Sequence, residues 1–219
     1  SGRLLAIFSL MVLMSSIATF AQDDDNQGEG GTIIDVLNSL TIDDNASTSR
    51  YDGIPQERTE DGAFILGNPD AEIVIVEFAD FMCPHCQVYE ETIEQFIEVY
   101  VATGDVRLEY RMFPVVHPSL SPLTAQIAEC AGEAGKFWDA RALIFEITST
   151  GGVDASIIDT VAEAMDMNAD DLATCAQEAD QYAIDSALAQ EAGVTGTPAV
   201  LLRVGDSGAR WIVAHNEPL

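Results

Sequence analysis

Lysine is nearly absent from these 219 residues. Lys136 stands alone, and with eight arginines it opposes 37 Asp and Glu, for a formal charge of −28. Basic residues so few and so scattered exclude a nucleic-acid partner, because neutralising phosphates takes clustered Lys and Arg. Cysteine is scarce too. Four in the chain cannot build a disulfide-dense miniprotein, and a chain of this length buries a core without one. Only one Cys-x-x-Cys occurs and no His-x-x-x-His, so a structural zinc site lacks its four ligands and no metal is expected. No internal repeat is found. Apolar residues are not scarce: at 47% of the chain they exclude a disordered acidic tail.

The first residues set the compartment. Arg3 precedes Leu4–Met14, in which Ser9 is the one polar residue, and small residues lead to Thr19 and Ala21 before the acidic run from Asp23. A basic start, an apolar centre and a small-residue end describe a secretory signal, so the chain is expected outside the cytoplasm, in the periplasm or cell envelope. Residues 1–21 are then either cleaved after Ala21 or kept as an anchor, since no charge falls between Leu4 and Gln22 and the stretch nears the ~17–20 residues a span requires. Residues 22–61 hold eleven acidic residues against Arg50 and Arg58. They read as an acidic flexible linker, with one short amphipathic stretch at Thr32–Leu40.

Ala71–Ala79 (AEIVIVEFA) is a β-branched and apolar run after Asn68-Pro69-Asp70, the pattern of a strand buried on both faces. Cys83-Pro84-His85-Cys86 follows, and then a helical pattern with Tyr89, Ile93, Phe96, Ile97 and Tyr100 on one face and Glu90, Glu91, Glu94, Gln95 and Glu98 on the other. Pro84 suits the first helical turn. Cys83 therefore meets the unpaired N–H groups and positive dipole end of a helix, which favour the thiolate that disulfide exchange needs. His85 can add a charge or a donor, and Cys86, one turn on, is the resolving thiol. Glu77 interrupts the buried strand six residues earlier. It either faces a sheet edge or solvent, or is buried and must be protonated, hydrated or paired. Asp80 reads as a strand-end turn residue, and His117 as a loop residue with a possible substrate contact.

Phe78-Ala79-Asp80-Phe81-Met82-Cys83-Pro84-His85-Cys86 resembles the DsbA-like branch of the thioredoxin superfamily, whose signature dipeptide between the cysteines is Pro-His. Further matches are Tyr110–Pro114, the stretches Ala128–Gly132 and Gly135–Trp138, and Gly193–Pro198. The resemblance runs from about Ala63 to Val213. It implies an α/β thioredoxin fold in a domain of residues 62–219. A helical insertion, about 118–192, would separate the strand after the active-site helix from the cis-proline strand. Strands are expected at Ala63–Leu66, Glu72–Ala79, Val106–Phe113, Ala199–Val204 and Trp211–Ala214, with helices at Val153–Met165 and Asn168–Glu191 inside the insertion. The family closes with a C-terminal helix that Val213–Leu219 does not supply, so truncation is expected there.

The resemblance also assigns roles. Cys83 is the nucleophile, His85 stabilises its thiolate, Cys86 resolves, and Glu77 is a buried acid that shuttles the proton of Cys86. Pro198 after Thr197 is the cis-proline against which a client strand pairs. Cys130 and Cys175 lie on inward helix faces, and related exported proteins sometimes bridge such a pair. The pair is either a disulfide across 45 residues or two separate buried thiols. The implied activity is an exported thiol:disulfide oxidoreductase acting mainly as an oxidase, a monomer without cofactor. Its partners would be reduced client proteins and a membrane quinone-linked reoxidase. A reductase or isomerase, and a non-catalytic binding or chaperone module, are the alternatives.

Overall fold

The computed structural model describes residues 49–205 and 207–213. The expected signal or anchor (1–21), the Thr32–Leu40 stretch and the start of the 22–61 linker lie outside them, as do residues 214–219. Six strands form one sheet in the order β1-β2-β4-β3-β5-β6. They are β1 (Gln56–Arg58), β2 (Phe64–Gly67), β3 (Ile73–Ala79), β4 (Val106–Met112), β5 (Ala199–Val204) and β6 (Ser207–Val213). β3 is central, parallel to β4 and antiparallel to β5. That position explains its unbroken apolar run, since both of its faces are covered.

Helix α1 (Pro84–Phe96) follows β3 and runs into a π-helical turn, Ile97–Val101. The wider turn moves the buried stripe by one residue. Val101 follows Ile93 and Ile97 into the core, and Tyr100, expected inside, is half exposed. Between β4 and β5 lie α2 (Leu120–Glu133), α3 (Phe137–Ser149), α4 (Ile157–Ala164), α5 (Ala169–Glu178) and α6 (Gln181–Glu191).

Three expectations are corrected. The linker stops short of residue 61: Tyr51 is buried against Trp138, and β1 pairs with β2. One aromatic anchor in a polar segment gives little pattern to read. The helix expected over Asn168–Glu191 is two, because Ala179 is extended. Two side chains of α2 hold the break: Gln126 donates to the Ala179 carbonyl at 3.1 Å, and the Gln181 N–H donates to Glu129 at 3.0 Å. The Val153–Met165 helix begins only at Ile157. Before it, the Asp154 side chain accepts from the Ser156 N–H at 2.8 Å and holds a turn.

The larger core lies between the sheet and helices α1–α5, where Phe64 stacks on Phe137 with ring centroids 3.7 Å apart. Gly132 allows this approach, since a Cβ there would come within 2.3 Å of the Phe64 ring. The opposite face carries Val74, Val76, Phe78 and Ala199, packed on Ala189 of α6 and on Val194. A groove of about 610 Å³ opens there, with Val76, Phe78 and Leu201 on its floor and Arg107, Arg111 and Arg203 around it. Cys130 of α2 and Cys175 of α5 are joined as a disulfide, Cα atoms 5.9 Å apart. Among the described residues no helix is long and apolar enough to cross a membrane, and no cluster of His, Cys, Asp and Glu could hold a metal ion.

Candidate active site

The chain leaves β3 at Ala79, turns through Asp80–Met82 and enters α1 with Cys83 as the residue before its first turn. Pro84 occupies that first turn, where it forfeits no hydrogen bond. Cys83 and Cys86 are free thiols, 4% and 1% exposed. The Cys83 thiol donates to the Thr197 carbonyl at 3.3 Å, and the Thr197–Pro198 bond is cis. Residues 114 positions apart in the chain thus meet at one sulfur.

The two thiols differ sharply in acidity. A hydrogen bond from Cys86 lowers the Cys83 pKa to about 5. The otherwise unpartnered Thr197 hydroxyl and the backbone N–H groups of Cys86 and His85 add to this, against the opposing effect of burial. Burial holds Cys86 far above the ordinary thiol range, with the neighbouring Cys83 and Glu77 adding to it. His85 acts on the sulfur through its backbone N–H, and its side chain is exposed.

A pH dependence follows. A depressed thiol stabilises the folded reduced protein fully only above the unfolded thiol pKa of about 8.5, and the effect is lost as pH falls through about 5. The oxidised protein has no thiol to ionise. The stability of the reduced form relative to the oxidised form is therefore expected to rise between pH 5 and pH 8.5. Urea midpoints of both forms across that range test it, and a constant gap would count against the Cys83 assignment.

Beneath the thiols Glu77 is 1% exposed, on the β3 face that meets α1 and α3. Burial raises its pKa, and Arg141 opposes the rise. Arg141, fully buried on α3, donates to Glu77 at 3.4 Å, to both oxygens of Glu90 at 2.7 and 2.6 Å, and to Glu94 at 3.4 Å. Its guanidinium lies over the rings of Tyr110, Phe145 and Trp138. Tyr51 donates to Glu94 at 2.7 Å, and Arg50 donates to the other Glu94 oxygen at 3.4 Å from the solvent side. Burial pushes Glu90 up to about 8, partly offset by Arg141. Burial and mutual repulsion thus raise both Glu77 and Glu90 although they share the buried Arg141 cation. A cleft of about 260 Å³ lined by Glu90, Glu91 and Glu94 connects it to solvent.

Several site residues were not legible as such. Glu90 and Glu94, expected on the solvent face of α1, turn toward Arg141. Arg141 had a signal: three residues after Trp138 and four before Phe145, it falls on the apolar stripe of α3. Asp80 is a buried hub: it accepts from the N–H groups of Met82, Val115 and Val116. His117 uses Nδ1 to accept from the Leu120 N–H at 3.0 Å, at the start of α2.

A family model described as Thioredoxin matches residues 59–204. The chain belongs to the thioredoxin family, in its DsbA-like branch. Within that family it is 29% identical over 105 residues to disulfide bond formation protein D of Bacillus subtilis, covering 47% of each chain. It is 34% identical over 82 residues to Na(+)/H(+) antiporter NhaA 3 of Salinispora tropica, covering 36% of this chain and 12% of that one. The match thus spans less than half the length of these relatives. Among solved thioredoxin-family structures, oxidised BdbD from Bacillus subtilis superposes with a TM-score of 0.59 at 23% identity, covering 68% of this chain and 82% of that one. The CPHC segment, Thr197-Pro198 and the helical insertion all fall inside the family match.

Proposed function

We propose that this thioredoxin-family protein is an exported oxidase that inserts disulfides into translocated proteins through Cys83 and Cys86. The observation that carries the reading is the acidity gap between the two thiols, with Cys83 at about 5 and Cys86 held protonated. A pair whose reduced form is stabilised by an ionised thiol gives up its disulfide readily and is oxidising. A client thiolate attacks Cys83 of the disulfide, the Cys83–Cys86 bond breaks, and the electron pair leaves on Cys86. Burial raises the Glu77 pKa and so favours its protonated form, which supports Glu77 as the group that gives Cys86 its proton. A second client thiolate then attacks the client sulfur of the mixed disulfide and expels Cys83 as a stabilised thiolate. The client loses two electrons and the enzyme pair gains them. Client backbone would pair beside Thr197 and Pro198 in the manner of an added strand. A quinone-linked membrane partner would restore the disulfide.

Oxidation of reduced, unfolded ribonuclease tests the reading. Wild type is expected to restore activity, and Cys83→Ser to lose the reaction entirely; equal rates would leave only a binding or chaperone module. A reduction potential around −120 mV fits an oxidase, whereas one near −270 mV would make the protein a reductase.

A further inference from the structure

The Asp80 carboxylate does more than end β3. It is 2% exposed, and its two oxygens serve different segments. One accepts from the Met82 N–H at 2.9 Å, in the turn that delivers Cys83. The other accepts from the Val115 N–H at 2.7 Å and the Val116 N–H at 2.8 Å, in the loop after β4. The Asp80 carbonyl also accepts from the Cys83 N–H at 3.0 Å. A strand-end turn requires only the first of these bonds. The sheet itself is already continued to the loop by the Phe113 N–H, which donates to the Ala79 carbonyl at 2.8 Å. The two further bonds fix a loop backbone that water could otherwise satisfy.

What that loop presents is unusual for an exposed segment. Val115 and Val116 are 49% and 48% exposed. From Phe113 to His117 no carboxylate occurs, in a chain that carries 37 acidic residues. An aliphatic, uncharged ledge on so acidic a surface fits a partner recognised by apolar side chains. Resting on the oxidase reading above, we propose that Asp80 is a positioning residue that locks the Val115–Val116 ledge to the Cys83 turn. The ledge then receives an aliphatic or aromatic side chain flanking the reactive cysteine of an unfolded client.

Steady-state oxidation of reduced, unfolded ribonuclease reads this out. Asp80→Ala is expected to raise KM about tenfold, the loss of one buried aliphatic contact, with kcat within about threefold. Asp80→Asn keeps one acceptor oxygen and recovers part of the difference. With dithiothreitol as the substrate, which has no side chain to dock, Asp80→Ala is expected to lose far less rate than with ribonuclease, and an equal loss on both substrates overturns the proposal. A role confined to folding would lower stability and leave KM where it is, and that result overturns the proposal. Should Asp80→Ala not fold, Val115→Ser/Val116→Ser keeps the clamp and removes the ledge. It is expected to show the same rise in KM, and a wild-type KM overturns the proposal. A wild-type protein that oxidises no client overturns both this and the oxidase reading; an active wild type with unmoved KM in the variants overturns this alone.

Discussion

Replacing Arg141 by methionine is expected to destabilise the protein by about 3–5 kcal/mol at pH 9. Methionine fills much of the same space between Tyr110, Trp138 and Phe145, so the loss is mainly electrostatic. Glu77 and Glu90 remain buried with no cation among the described residues to face them. Each must then hold a proton, and the cost of doing so grows with pH. A carboxylate whose folded pKa is raised favours folding fully below its unfolded value near 4.3 and loses that advantage as pH rises through the folded value, about 8 for Glu90 even with Arg141 present. The destabilisation by Arg141→Met is therefore expected to be large at pH 9, above the wild-type Glu90 value of about 8, and clearly smaller at pH 6.5. Adding Glu90→Gln should recover part of it. Urea denaturation at the two pH values, for single and double variants, checks the sign. An equal loss at both would mean that packing, not charge, explains the burial of Arg141.

Cys130→Ala/Cys175→Ala is expected to cost about 4 kcal/mol. The bridge closes a 45-residue interval, and in the chain-entropy account its main effect is to restrict the unfolded chain. It ties α2 to α5, both remote in sequence from the thiol pair. The variant should still oxidise ribonuclease well below its unfolding temperature, at a rate per folded molecule close to wild type. The diagnostic comparison is between the two proteins with Cys83 and Cys86 both reduced. Wild type with the Cys130–Cys175 bridge intact should unfold at distinctly higher urea than the variant. Strong reduction should remove that difference and leave the variant unmoved. No difference before reduction would mean that the bridge stores little stability.

Much of this architecture is legible in the residues themselves. The β3 run, the CPHC segment and the helical face behind it are local patterns with fixed periods, and they place the nucleophile at a helix start. Thr197-Pro198 becomes informative only beside the resemblance, because nothing local to it says which sulfur it meets. Glu77 stands out as a charge in an apolar strand, but its partner lies 64 residues on. Pairings of that kind are set by how α3 packs on the sheet, and no short-range spacing encodes them. Glu90 shows the same difficulty in reverse. The helical period puts it among solvent-facing glutamates, and only the arrival of α3 makes that face an interior. The sequence shows Asp80 only as a turn residue, and its first bond is indeed a turn bond; the other two reach across to a loop 35 positions away.

Arg141 has one more implication, for what can be cut from or grafted onto this scaffold. Helices inserted into an α/β fold are commonly treated as detachable modules. Here α3 supplies the counter-charge for Glu77 in the sheet and Glu90 in α1, so the parts are not independent units of inheritance. A lineage that shed α3 would have to neutralise both glutamates in the same step or pass through an unstable intermediate. Moving the Glu77–Glu94 segment onto a plain thioredoxin scaffold would likewise carry buried acids without their base. In this chain, redox motif and insertion are transferable only together.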